Sequence, residues 1–131
     1  MSLATENQIQ SAFFDACRAD LTLAHCWIHA IPNGTKKTIA GAVRFKKEGL
    51  ISGVADVFVP VARGGYFGYY IEFKKPGGKL SKNQELFHEF VSTNNYKFRI
   101  FYNSIDAYKS VKAYMKLDYT KAQVDMNRTF C

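Results

Sequence analysis

Two apolar, β-prone runs separated by a pair of glycines constrain this chain more than any other feature. Val54–Pro60 reads VADVFVP and Tyr66–Phe73 reads YFGYYIEF, with VARGG between them. Such runs read as strands, and Gly64 and Gly65 belong in the turn of a hairpin that joins them. A hairpin this apolar needs cover from other elements. Thr5 and Gln8 have capping-box spacing, and Ile9, Ala12, Phe13, Ala16 and Cys17 follow at one helical face, which predicts a helix over Glu6–Asp20. HCWIHAI then reads as a short extended segment closed by PNG, and a second helix is expected over Thr38–Glu48, ended by Gly49. Beyond the PGGK break, Ser81 and Gln84 repeat the capping-box spacing ahead of Leu86, Phe87, Phe90 and Val91, for a third helix ending near Asn94 and Asn95. YKFRIFY alternates as a strand, and SIDAYKSVKAYM closes with a fourth helix opened by Ser104.

The expected fold is therefore α/β, a mixed central sheet flanked by helices. At 131 residues one domain spanning 1–131 is the simplest organisation, with a tail from about 116 to 131 that shows no periodicity. A chain of this size buries roughly two-thirds of its unfolded surface, and eleven Phe, eight Tyr and one Trp exclude a disordered polymer. Cys17, Cys26 and Cys131 are an odd number without framework spacing, so no disulfide is needed and a reduced, cytoplasmic setting is expected. No apolar stretch approaches the roughly 18 residues of a membrane span, so no membrane partner is expected.

Eighteen Lys and Arg against eleven Asp and Glu give +7, a balance that suits a phosphate-rich partner. The strand ending YYIEFKK puts Glu72 and Lys74 two residues apart, on one face of the sheet, with Phe73 on the other. If the hairpin pairs as read, Asp56 at the start of one strand meets Glu72 at the end of the next. Two carboxylates held close repel unless a cation joins them, and hard oxygen ligands suit Mg²⁺ or Mn²⁺. With such an ion, Lys74 would orient water or neutralise phosphoryl oxygens, as phosphodiester hydrolysis requires. The plainer alternative is an exposed cross-strand charge pair of Glu72 and Lys74, with Asp56 a turn residue.

EGLISGVADVFVP, GYYIEFKKPGGKLSKNQ and NYKFRIFYN, in that order, resemble the VRR-Nuc branch of the PD-(D/E)xK nucleases, and the likeness runs from about Glu6 to Tyr102. The resemblance implies a restriction-endonuclease-like core in which Asp56 and Glu72 are metal ligands, Lys74 is the catalytic lysine and the main-chain carbonyl of Phe73 is a further ligand. It places a helix-one glutamate near the metal, here Glu6, whose other reading is a first-turn acid on a helix dipole. Gln84 matches a family glutamine and equally fits the capping box. Asn33 matches another family position, while Asn before Gly is also a turn signal. The family commonly has proline before the aspartate, where this chain has Ala55.

Arg44, Lys75, Lys79 and Lys82 are candidate DNA contacts, although a solvated face explains any one of them. Nothing in the chain resembles a base-reading motif, which favours recognition of DNA shape or backbone. Standalone members of this branch resemble phage replication and repair nucleases, so the resemblance implies cleavage of branched or Holliday-junction-like DNA. A chain with one site cuts two strands most simply as a homodimer. The alternative is a non-catalytic nucleic-acid-binding module that keeps the fold. His25, Cys26 and His29 lack nearby partners for a structural zinc.

Overall fold

The computed structural model describes residues 3–32 and 39–119. Eight elements follow one another: α1 Glu6–Ala19, β1 His29–Ala30, α2 Ile39–Lys47, β2 Val57–Val59, β3 Tyr69–Phe73, α3 Lys82–Thr93, β4 Lys97–Phe101 and α4 Ser104–Met115. The sheet order is β1-β2-β3-β4; β1, β2 and β3 pair antiparallel and β4 joins β3 in parallel. This is the mixed α/β sheet that the sequence predicts.

At the centre of the hairpin, Arg63 and Tyr66 exchange main-chain hydrogen bonds of 3.2 and 2.9 Å around Gly64 and Gly65. Those glycines have φ of 60° and 87°, the pair of left-handed residues that a type I′ turn demands. Alternation then sorts the strands. Val57, Val59, Tyr69, Ile71, Phe73 and Phe101 face α1 and α4, burying against Ile9, Phe13, Ala107, Val111 and Tyr114. Phe13 and Phe73 meet with ring centroids 5.4 Å apart. On the opposite face, Tyr70, Phe98 and Ala55 pack with Phe87 and Val91 of α3. Glu72 and Lys74 share the Tyr70 face by the two-residue period, which directs them toward α3.

Both predicted capping boxes form: Thr5 and Gln8 open α1, and Ser81 and Gln84 open α3. The fourth helix begins where expected but is capped by Asn103, whose side chain accepts from the Asp106 N–H; Ser104 is its first helical residue. An Asn side chain one position earlier is as good an acceptor, and the extended backbone at Asn103 decides between them. Of HCWIHAI, only His29 and Ala30 pair as a strand.

The chain after α4 turns back onto the hairpin. Gly64 N–H donates to the Asp118 carbonyl at 2.8 Å, and Arg63 bridges to Tyr119. Arg63 is 1% exposed, with its guanidinium 4.2 Å from the Tyr119 ring centroid and its Nε–H donating to the Met115 carbonyl. Cys17 is a free, buried thiol. Cys26 is buried with its Sγ 3.3 Å from the Thr22 carbonyl oxygen, and Cys131 lies outside the described residues.

Candidate active site at the open end of the hairpin

Asp56 precedes β2 and Glu72 is the penultimate residue of β3. Val57 pairs with Ile71, so continuing the antiparallel register by one step sets Asp56 across from Glu72. The Phe73 N–H donates to Asp56 Oδ2 at 2.7 Å, and the Asp56 carbonyl accepts from the Ile31 N–H at 2.8 Å. A close approach behind the loop fixes where Asp56 begins. Gly53 has φ of 96°, and a Cβ there would lie 2.7 Å from the backbone of Asn83, so only glycine lets loop and helix meet. Asn83 also donates to Ser52 Oγ at 3.4 Å.

Glu72 is not the exposed member of a surface pair. It is 3% exposed, and its Oε1 accepts from Gln84 Nε2 at 2.7 Å and lies 3.8 Å from Lys74 Nζ. Its Oε2 is buried with no donor from another residue beside it, and the Asp56 carboxyl is its neighbour. Burial, reinforced by the charge of Asp56 and partly offset by Lys74, pushes the Glu72 carboxyl from 4.5 up to about 8. Asp56 is also raised, first by burial and then by the charge of Glu6, while the Phe73 N–H and Lys74 oppose the shift. The two acids thus share a half-dry corner that disfavours both charges at once.

The structure brings Glu6 to this corner from the first turn of α1, where its Oε2 accepts from the Lys75 N–H at 3.4 Å. Gln84 bonds through opposite ends of one amide. Its Oε1 accepts from the Ser81 N–H at 2.8 Å, closing the cap, and its Nε2 holds Glu72. Lys75, Lys79 and Lys82 are exposed on the segment that leads from β3 into α3. Arg44, exposed on α2, forms an ion pair with Glu48 at 3.8 Å. Asn33 lies outside the described residues. The Ser52–Gly53–Asn83 clamp has a single signal in the sequence, a glycine three residues ahead of the aspartate.

The donor set suits a hard cation. A buried carboxylate oxygen without a donor, across from a second carboxylate, is the local defect that a divalent ion repairs. Among the described residues no group of three or more His, Cys, Asp or Glu is gathered closely enough to cage a metal. Two carboxylates fit an ion such as Mg²⁺, which keeps several waters and draws further oxygens from a substrate phosphate.

No curated protein matches this chain. A solved structure described as a VRR_NUC domain protein superimposes with a TM-score of 0.76 at 22% identity, covering 91% of this chain and 94% of the other, which establishes a shared fold. The VRR-NUC domain itself matches residues 5–104. The chain therefore belongs to the VRR-NUC domain family, a family of nucleases, and its mixed sheet has the restriction-endonuclease-like architecture.

Proposed function

We propose that this protein is a Mg²⁺- or Mn²⁺-dependent, structure-selective endodeoxyribonuclease that hydrolyses phosphodiester bonds in branched or Holliday-junction-like DNA. The observation that carries the reading is the buried Glu72 Oε2, without a donor, across from Asp56, with Lys74 Nζ 3.8 Å from the other oxygen of Glu72. In this reading Asp56, Glu72 and the Phe73 main-chain carbonyl hold the ion, with Glu6 alongside. The ion, when bound, supplies an activated water and a positive charge against the phosphate. The chain's own groups do the positioning. Phe73 N–H orients Asp56 and Gln84 orients Glu72. Lys74, 13% exposed at its side chain, has its ammonium aimed across the same corner, where it stabilises charge growing on phosphoryl oxygens. Exposed Lys75, Lys79, Lys82 and Arg44 contact the DNA backbone.

The branched substrate, a phage-type replication or repair role inside the cell and a homodimer rest on the resemblance to standalone VRR-Nuc nucleases and on the need to cut two strands symmetrically. The competing reading is a binding module without turnover that keeps the fold. Labelled branched and linear DNA incubated with Mg²⁺ or Mn²⁺ separates them. Wild type should cut, whereas Asp56→Ala and Lys74→Ala should bind without cutting. Binding by wild type with no product under either ion would overturn the nuclease reading. Light scattering should give twice the chain mass of 14.9 kDa.

A further inference from the structure

Beside the carboxylate corner runs a shallow groove of about 340 Å³. One wall is the loop that delivers Asp56, through Ile51 and Val54; the other is a stripe of α3, through Asn83, Leu86, Phe87 and Phe90. The stripe spacing of three and four places these four side chains on one face of the helix. Gln84, next in the chain to Asn83, reaches Glu72, so groove and carboxylates share a support. The base of the groove is firm, because Phe87 packs on the core cluster of Ala55, Val91 and Phe98, and the walls are joined at Gly53 and Asn83. Its lip is not covered: Ile51 is 66%, Leu86 51% and Phe90 67% exposed. Large apolar side chains exposed together beside a site mark a binding surface.

Charge identifies the occupant. Exposed Lys82 opens the helix wall, and Lys46 and Lys47 end α2 four or five residues ahead of Ile51 in the chain. On α3, Glu85 lies on the far side from the stripe by helical spacing and Glu89 flanks it three residues on from Leu86, while Glu48 is paired with Arg44. An apolar slot with Lys82 at the head of its helix wall complements a nucleotide whose base has left the stack, its ring against Phe90 and its phosphate toward the ammonium group. The volume falls at the low end of the range for small-molecule pockets, adequate for an unstacked base.

We propose that this groove receives an unstacked base next to the scissile phosphate, with Phe90 as its stacking surface. It is then the element that distinguishes branched or gapped DNA, where bases are already free, from continuous duplex. The inference rests on the nuclease reading for the position of the phosphate, and its test is independent of turnover. Fluorescence anisotropy without divalent ion would compare a four-way junction, a gapped duplex and a continuous duplex of equal length, using wild type, Phe90→Ala and Phe90→Tyr. Phe90→Ala should weaken junction and gapped DNA about ten-fold, leave continuous duplex and the salt slope unchanged, and be rescued by Phe90→Tyr. Equal loss on all three DNAs, or no loss on any, overturns the proposal. So does a fall in oligomeric state of Phe90→Ala by light scattering with general loss of affinity, which would make the groove an interface between copies. Wild type that prefers gapped DNA through Phe90 yet never cuts with Mg²⁺ would retain the groove and remove the nuclease. Wild type that cuts, with preference intact in Phe90→Ala, would remove the groove alone.

Discussion

Replacing Glu72 by Gln should make the protein more stable while abolishing cleavage. The folded chain holds the Glu72 carboxyl at about 8, through burial first and the neighbouring charge of Asp56 second, against an ordinary value of 4.5. A folded-state value above the unfolded one means that the folded protein binds the proton more tightly. This group's contribution to stability is therefore full below the unfolded value, declines as pH rises from there, and is lost above pH 8. At pH 7 the accumulated loss is about 3 kcal/mol, taking 1.36 kcal/mol per pH unit, and it approaches ~5 kcal/mol above pH 8. Gln keeps the size of Glu, still accepts from Gln84 Nε2, and has no charge to desolvate. Glu72→Gln should therefore gain about 3 kcal/mol at pH 7, roughly 10 °C in Tm, with the gain vanishing near pH 4. Urea unfolding in EDTA across pH 4–9 measures it, with an unchanged m-value showing that the same surface is exposed. Adding Mg²⁺ or Mn²⁺ should narrow the gap by stabilising wild type alone. Midpoints that coincide across the whole range, or a gap that widens toward acid, would refute the reasoning.

Lys74→Met should lower cleavage about 100-fold or more while changing the salt slope of DNA binding by no more than about one, measured by gel-based turnover and anisotropy titration. Gln84→Glu keeps an acceptor for the Ser81 N–H but replaces the donor to Glu72 with a second acid. Circular dichroism should show an intact α3 while calorimetry shows Mn²⁺ binding weakened by about 10-fold; equal affinity would reduce Gln84 to a helix cap. Gly53→Ala forces a side chain onto the Asn83 backbone at a left-handed φ, and should lower stability by about 1–3 kcal/mol in urea unfolding; a wild-type midpoint would show that the loop and α3 are not clamped.

The parts of this molecule that were legible in its sequence are those governed by local chemistry. A Gly-Gly pair between two apolar runs specifies a primed turn whatever surrounds it, and the antiparallel register then carries Asp56 to Glu72 without further information. Capping boxes likewise depend on residues three apart. What could not be read depends on distant partners. Arg63 reads as a loop cation, yet it is buried because residues of α4 and beyond, up to Tyr119, close around it. Glu72 at a strand end reads equally as a surface acid. Its burial follows from the packing of α3 against that face, and Gln84 is what reaches it there.

The alanine that stands where the family commonly has proline follows the same division. Proline before the aspartate would stiffen the backbone from within. Here stiffness is imposed from outside, by contacts no single position announces. The Ile31 N–H holds the Asp56 carbonyl, the Phe73 N–H holds its side chain, and Gly53 is pressed against Asn83 two residues upstream of Ala55. Ala55 is itself 1% exposed in the cluster with Val91 and Phe98. Its methyl is buried on the α3 side, so the residue anchors the segment by packing. The position of Asp56 is thus held by contacts from three neighbouring segments, a restraint of the kind that proline at position 55 would supply from within.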